Sequence, residues 1–402
     1  MAKKTQEEVQ KPADDGNIDD ISTQLIKDLN KEMGFTCAYD LTLGAAPTIV
    51  KRWISTGSLQ LDHIIKNAMG GGYPEGRVIE IAAMPSLGKS HLAYHAIATV
   101  QAMGGIGVYI DTENATPLDK LQTMGVDVKK RFVYVDTHVT EDVFKIAETV
   151  IAKAKAKPSS KDVPILVVWD SVAATSPKAE IDGDYDQNTV GLQARVVSKA
   201  MRKIVGVLGQ NNVTFLCLNQ LRMKIGVMGH ADPFVTPAGN AIPFHASVRV
   251  RLGSGSPIKD AKGNTIGIHV TATTKKNKVG PPMRKCEFDI IYGQGIIEHE
   301  YIFDELRAHC DENKVLTKDG KQVKISGTSS WKELLVSDVA TGEVLIQKKF
   351  YKNEFDEIMS NPEYNPYVMQ VFDAAYTMDI GQHKGVVAST EEVSPDEVFD
   401  EE

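Results

Sequence analysis

Six short apolar runs set the plan of this chain: Arg77–Met84, Gly107–Asp111, Phe132–Asp136, Pro164–Asp170, Thr214–Gln220 and Ser247–Leu252, separated mostly by longer stretches of helical character. Strands buried on both faces read as near-continuous apolar runs, and parallel neighbours need a crossover between them, usually a helix. The alternation therefore predicts an α/β fold with a largely parallel sheet covered by helices. Two more strand-like runs, Gly267–Lys276 and Cys286–Gly293, follow closely and read as an added hairpin or a sheet extension, so the core ends near Gly295.

The 402 residues exceed the ~100–200 typical of one domain, which leaves room for appendages at both ends. Residues 1–50 read as an arm: a polar start, then Ile21, Leu25, Leu29 and Met33 at helical spacing up to Gly34. Residues 51–297 form the core, 298–385 a smaller domain of mixed helix and strand, and 386–402 a disordered tail. From Thr390 to Glu402 that tail carries seven acidic residues and no basic one, part of a net charge of −8. A chain this acidic is not generally basic like many nucleic-acid proteins, so any DNA site must be a local concentration of cations. No apolar run reaches the ~18 residues of a spanning helix and the start lacks a signal-peptide core, so the chain is expected in the cytoplasm without a membrane partner. Cys37, Cys217, Cys286 and Cys310 are widely spaced and read as buried free thiols, not as a zinc site or a disulfide framework.

Chemistry concentrates between the first strand and the helix that follows it. Ala83-Met84-Pro85-Ser86-Leu87-Gly88-Lys89-Ser90 fits the phosphate-loop pattern except at its first position, where alanine replaces glycine. Backbone N–H groups of Ser86–Gly88 and the helix start would cradle phosphate with Pro85 in the same turn, Lys89 would reach the β- and γ-phosphates of ATP, and Ser90 would ligate Mg²⁺. Proline itself has no N–H, so Pro85 contributes only its place in the turn. Asp170 ends an apolar strand where ligands of open α/β sheets sit; alone it reads as well as a strand-end turn, but paired with the phosphate loop it would hold Mg²⁺ through water. Glu113 lies just past another strand end, a candidate base for the attacking water, although spacing alone favours a helix N-terminal glutamate.

Taken together, STGSLQLD at 55–62, the phosphate loop, IDTEN at 110–114, VVWDSVAATSPKAEIDGD at 167–184, GLQARVVSKAMRKI at 191–204, NQLRMKIGVM at 219–228 and AGNAIPFHASVR at 238–249 resemble the RecA family. The resemblance runs from about 52 to 297 in the family's order and includes motifs other phosphate-loop ATPases lack. The arm and C-terminal domain resemble it much less, leaving both bacterial and phage-encoded members open, with the divergent C-terminal half favouring phage. The resemblance implies that Glu113 activates water and that Gln220 senses the γ-phosphate and signals to the adjoining DNA loop. It implies that Lys276 and Lys278 reach the nucleotide of the next protomer, and that Tyr292 and Gly293 lie near adenine. Lys120 stands where the family has a tyrosine stacked on the base.

The resemblance also marks two DNA loops, Lys178–Val190 and Met228–Asn240, flanking a helix whose Arg195, Lys199 and Arg202 share one face. Leu192, Val196, Ala200 and Ile204 would form its apolar face. Val190, Arg195, Ser198, Arg202, Arg222, Met223, Ile225, Gly239 and Asn240 are the implied DNA contacts. The implied function is an ATP-dependent recombinase that forms a helical filament on single-stranded DNA and pairs it with homologous duplex DNA, helped by single-strand-binding and mediator proteins. A ring helicase on the same fold and a passive DNA-coating protein are the competing readings.

Overall fold

The computed structural model describes residues 18–43, 46, 48–156, 160–184, 189, 191–223 and 232–379. Val190, Ile225, the tip of each implied DNA loop and the acidic tail lie outside them. The chain divides into two compact units, Met1–Lys51 and Arg52–Glu402.

In the first unit, α1 (Ile18–Met33) carries Ile21, Leu25, Leu29 and Met33 along one face, and all four are exposed. Gly34 stops the helix at φ 71, a left-handed conformation glycine adopts at little cost. Asn30 folds the following segment back, accepting from the Cys37 and Ala38 amides at 2.7 and 2.8 Å.

The second unit opens with β1 (Trp53–Ile54), α2 (Leu59–Lys66) and β2 (Tyr73–Pro74), the two strands pairing with each other. There follow β3 (Val78–Ala83), α3 (Lys89–Ala102), β4 (Ile106–Asp111), α4 (Leu118–Thr123), β5 (Phe132–Asp136), α5 (Thr140–Ala154) and β6 (Ile165–Asp170). Then come α6 (Lys178–Ile181), α7 (Leu192–Asn211), β7 (Val213–Gln220), the short pair β8 (Arg222–Met223) and β9 (Phe234–Val235), and α8 (Ala241–His245). The sheet closes with β10 (Val248–Lys259), β11 (Thr265–Asn277), β12 (Lys285–Ile291) and β13 (Gly295–Ile297). Its order is β13-β12-β11-β10-β3-β7-β6-β4-β5; the strands from β10 to β5 are parallel and the other three run antiparallel beyond them.

All eight sequence-predicted runs are strands of this one sheet. Side chains alternate across it: Ile79, Ile81, Tyr109, Leu166, Val168, Leu216 and Leu218 pack with α3 on one face, while Val108, Ile110, Val167, Trp169 and Phe215 pack with α5 and α7 on the other. The inward stripe of α7 is Val197, Met201, Ile204 and Leu208. The expected stripe is thus corrected: Ile204 is buried, but Leu192, Val196 and Ala200 are only partly so, because the face that meets the sheet runs through Val197, Met201, Ile204 and Leu208. Cys37 is also a correction, being exposed, whereas Cys217, Cys286 and Cys310 are buried free thiols.

Residues beyond β13 build α9 (His299–Glu312), an antiparallel sheet of β14 (Val315–Leu316), β15 (Lys321–Ser326), β16 (Trp331–Asp338) and β17 (Val344–Tyr351), and then α10 (Phe355–Ser360) and α11 (Asn365–Tyr376). Phe303, Phe350 and Phe355 form its aromatic centre. The α11 helix is fastened to α2: Tyr376 OH donates to Gln60 Oε1 at 2.8 Å, and His63 Nε2 lies 2.9 Å from Asp373 Oδ1. Among the described residues no helix is long and apolar enough to cross a membrane.

Candidate active site

Parallel strands end on a common edge, and register places the polar ends Gln220, Asp111 and Asp170 there. Ala83 pairs with Gln220 across β3 and β7, Asp111 with Asp170 across β4 and β6, and Asp170 with Leu218 across β6 and β7. The phosphate-loop segment leaves β3 at that edge and enters α3 at Lys89, with Gly88 as N-cap at φ 81. The positive φ favours glycine at 88, and a Cβ there would also lie 2.0 Å from Ile290 Cδ1, a side-chain end that would have to shift. Ala83 is compatible because it still belongs to the strand; the left-handed positions of the loop fall on Ser86, at φ 63, and Gly88.

Within this edge Ser90 Oγ donates to Asp170 Oδ2 at 2.7 Å, bringing together the two residues read as the Mg²⁺ pair. Burial pushes the Asp170 carboxyl above its usual range, opposed by hydrogen bonds from Tyr109 and Ser90. The Asp170–Ser171 peptide is cis, and Ser171 Oγ donates to Glu113 Oε1 at 2.5 Å. Gln220 Nε2 donates to the same oxygen at 3.2 Å. The turn carrying Glu113 is held by Asp111, which accepts from the Glu113 amide at 3.0 Å, the Thr116 amide at 3.2 Å and the Tyr134 hydroxyl at 3.0 Å.

Lys89 is only 9% exposed, and its ammonium donates to the Ala83 and Met84 carbonyls at 3.5 and 3.2 Å. Burial lowers its pKa, with Asp170 and Glu113 acting in the opposite sense. A buried ammonium satisfied by loop carbonyls beside an open cavity fits a polyphosphate, whose oxygens would replace those carbonyls. The cavity, of about 550 Å³, is lined by Ser86–His91 at one end and by Pro117, Lys120, Met124, Tyr292 and Gly293 at the other. Its residues fit a nucleotide, and the Ser90–Asp170 pair fits a hydrated Mg²⁺. Pro85 is exposed on the loop and does not line the cavity. Lys276 and Lys278 do not line it either; Lys276 Nζ donates to the Pro243 and Phe244 carbonyls at 2.7 and 2.8 Å, at the end of α8.

Of the residues read as DNA contacts, Arg195, Arg202, Arg222 and Met223 are exposed, and Arg202 Nη1 donates to Ser198 Oγ at 3.0 Å. Gly239 and Asn240 border a second cleft of about 360 Å³, with Arg249, Arg251 and Lys275 in its wall. Arg249 pairs with the fully buried Glu80 at 2.5 Å, while Arg251 and Asp232 form a two-bond contact at 3.0 and 2.6 Å.

Sequence reasoning missed Tyr109, His91 and Gln193. Tyr109 ends against Asp170, His91 lines the cavity with burial and the nearby Lys120 pushing it down to about 4, and Gln193 Nε2 ties the Val172 and Thr175 carbonyls at 2.9 and 2.7 Å. The available signal was weak: a tyrosine inside a buried strand needs an acceptor for its hydroxyl, but the sequence does not name it.

Residues 21–297 match the model of the RecA N-terminal domain. The Protein RecA of Staphylococcus aureus strains JH9, Newman and N315 is 37% identical over 349 residues in each case, covering 87% of this chain and 89% of the relative. The chain therefore belongs to the RecA family, the ATP- and DNA-binding proteins of recombination and repair.

Proposed function

We propose that this protein is a DNA-dependent ATPase that forms a helical filament on single-stranded DNA and exchanges strands with a homologous duplex. The observation that carries the reading is the Gln220–Glu113 hydrogen bond, because Gln220 stands two residues before Arg222, where the β8–β9 pair of the second DNA loop begins. One residue thus touches the candidate base and adjoins the candidate DNA contact.

In the hydrolytic step Glu113 takes a proton from water on Oε2, since Oε1 already accepts from Ser171 and Gln220. The water oxygen bonds to the γ-phosphorus as the bridge to the β-phosphate breaks, giving ADP and phosphate. Lys89 and the loop amides hold the β- and γ-oxygens against developing charge. Ser90, and Asp170 through water, would hold Mg²⁺, which would supply charge neutralisation on those oxygens. Lys276 and Lys278 act on the nucleotide of the adjacent protomer, which makes hydrolysis depend on assembly. The exposed stripe Ile21, Leu25, Leu29 and Met33 of α1 supplies the contact to a neighbour. Arg195, Ser198, Arg202 and Arg222 hold phosphates, Met223 and Ile225 enter the stretched base steps, and Val190, Gly239 and Asn240 complete the loops. Residues 51–297 carry these activities, 1–50 the assembly arm and 298–385 a C-terminal domain.

Steady-state ATP hydrolysis with and without single-stranded DNA, beside Lys89→Ala, tests the reading. Strong stimulation by DNA that Lys89→Ala abolishes, followed by strand exchange, supports it. DNA coating indifferent to nucleotide overturns it in favour of a passive coat, and ATP-driven displacement of a strand without homologous pairing overturns it in favour of a helicase.

A further inference from the structure

Asp170 is held by a tyrosine as well as by the phosphate-loop serine. Tyr109 lies in β4 next to β6, completely buried, and its hydroxyl donates to Asp170 Oδ2, the same oxygen that accepts from Ser90 Oγ. The register fixes this approach: Tyr109 pairs with Val168, two residues before Asp170, so its ring reaches forward along the neighbouring strand to the carboxylate. Tyr94 of α3 braces it from below, ring centroids 5.5 Å apart and hydroxyls 3.5 Å apart.

We infer that Tyr109 is a positioning residue for Mg²⁺ in the ATP site: it occupies Asp170 Oδ2 from inside the sheet and leaves Oδ1 as the oxygen offered to the hydrated cation. Asp170 Oδ2 has two donors, and Ser90, in the first turn of α3, is the one that must also meet the nucleotide and its cation. The tyrosine hydroxyl sits on a strand and does not move with the loop. Facing a carboxylate, which accepts, the Tyr109 hydroxyl is the donor of the pair. Outer hydrogen bonds of this kind govern metal affinity more than nucleotide affinity.

The inference rests on the ATP site proposed above, and the experiment separates the two. The fluorescent nucleotide mant-ATP is bound to the full chain, first in EDTA and then across an Mg²⁺ titration. For Tyr109→Phe the EDTA affinity and the melting temperature stay near wild type, while the Mg²⁺ concentration for half-saturation rises about tenfold. Site-specific 3-fluorotyrosine at 109, which keeps the ring and strengthens the donor, moves half-saturation the other way and serves if the phenylalanine variant does not fold. An unchanged Mg²⁺ requirement in both variants, or an equal loss of mant-ATP affinity with and without Mg²⁺, overturns the role of Tyr109 alone. A wild-type protein whose mant-ATP binding ignores Mg²⁺ overturns the metal site and the inference together.

Discussion

Gln220 Nε2 and Glu113 Oε1 meet at 3.2 Å although 107 positions separate them in the chain. The contact exists because β7 and β4 end on one edge of the parallel sheet with only β6 between them. Glu113 is also bound by Ser171, so its orientation survives loss of Gln220, whereas the route from that carboxylate to β8 does not. Gln220→Ala is therefore expected to keep hydrolysis without DNA within a few-fold of wild type and to lose most of the stimulation by single-stranded DNA. Steady-state ATP turnover with and without DNA measures both. An equal fall in the two rates would place Gln220 in the chemistry itself.

Gln193 binds the turn after Asp170 to the first turn of α7, through carbonyls of Val172 and Thr175. Gln193→Ala leaves those carbonyls without this donor and is expected to cost ~1–3 kcal/mol in a denaturant melt. Gln193→Glu, which offers carboxylate oxygens to carbonyl oxygens, should cost more.

Arg195 and Lys199 are exposed on α7. As phosphate contacts each carries about one unit of the slope of log affinity against log salt. Arg195→Ala and Lys199→Ala should each lower that slope by about one, for all single-stranded sequences alike. Fluorescence anisotropy at several salt concentrations reads the slope, and an unchanged value removes the residue from the interface.

Asp62 lies buried in α2, accepting from Ser55 Oγ at 2.5 Å and the Thr56 amide at 2.8 Å, and burial lifts its pKa to about 7. The unfolded carboxyl titrates near 3.8, so the folded state binds the extra proton between those values and stability falls as pH rises from about 4 to about 7. Ionising a group shifted that far costs on the order of 4 kcal/mol at pH above 7. Asp62→Asn should flatten this part of the pH–stability curve, gaining on wild type as pH rises, in thermal melts from pH 4 to 8. A slope that persists in the variant assigns the dependence to other groups.

The α/β sheet, the phosphate loop and the polar strand ends were legible in the sequence because strands buried on both faces announce themselves as apolar runs, and because a phosphate loop is a local motif between one strand and one helix. Ser90 and Asp170 were nameable one by one from the phosphate-loop motif and the end of an apolar run, whereas Glu113 as base and Gln220 as sensor were named through the resemblance to the RecA family. What joins them was not legible. Sheet order decides which ends are neighbours, and β3-β7-β6-β4 is not the order of the chain. The face of α7 that turns inward depends on how its ridges meet the sheet, so Val197 and Met201, not Val196 and Ala200, are buried. Tyr109 shows the limit most clearly. The sequence determined that a tyrosine stands inside a buried strand; only tertiary structure decided that its hydroxyl ends on Asp170, because strand register and burial, which no local pattern encodes, select the acceptor.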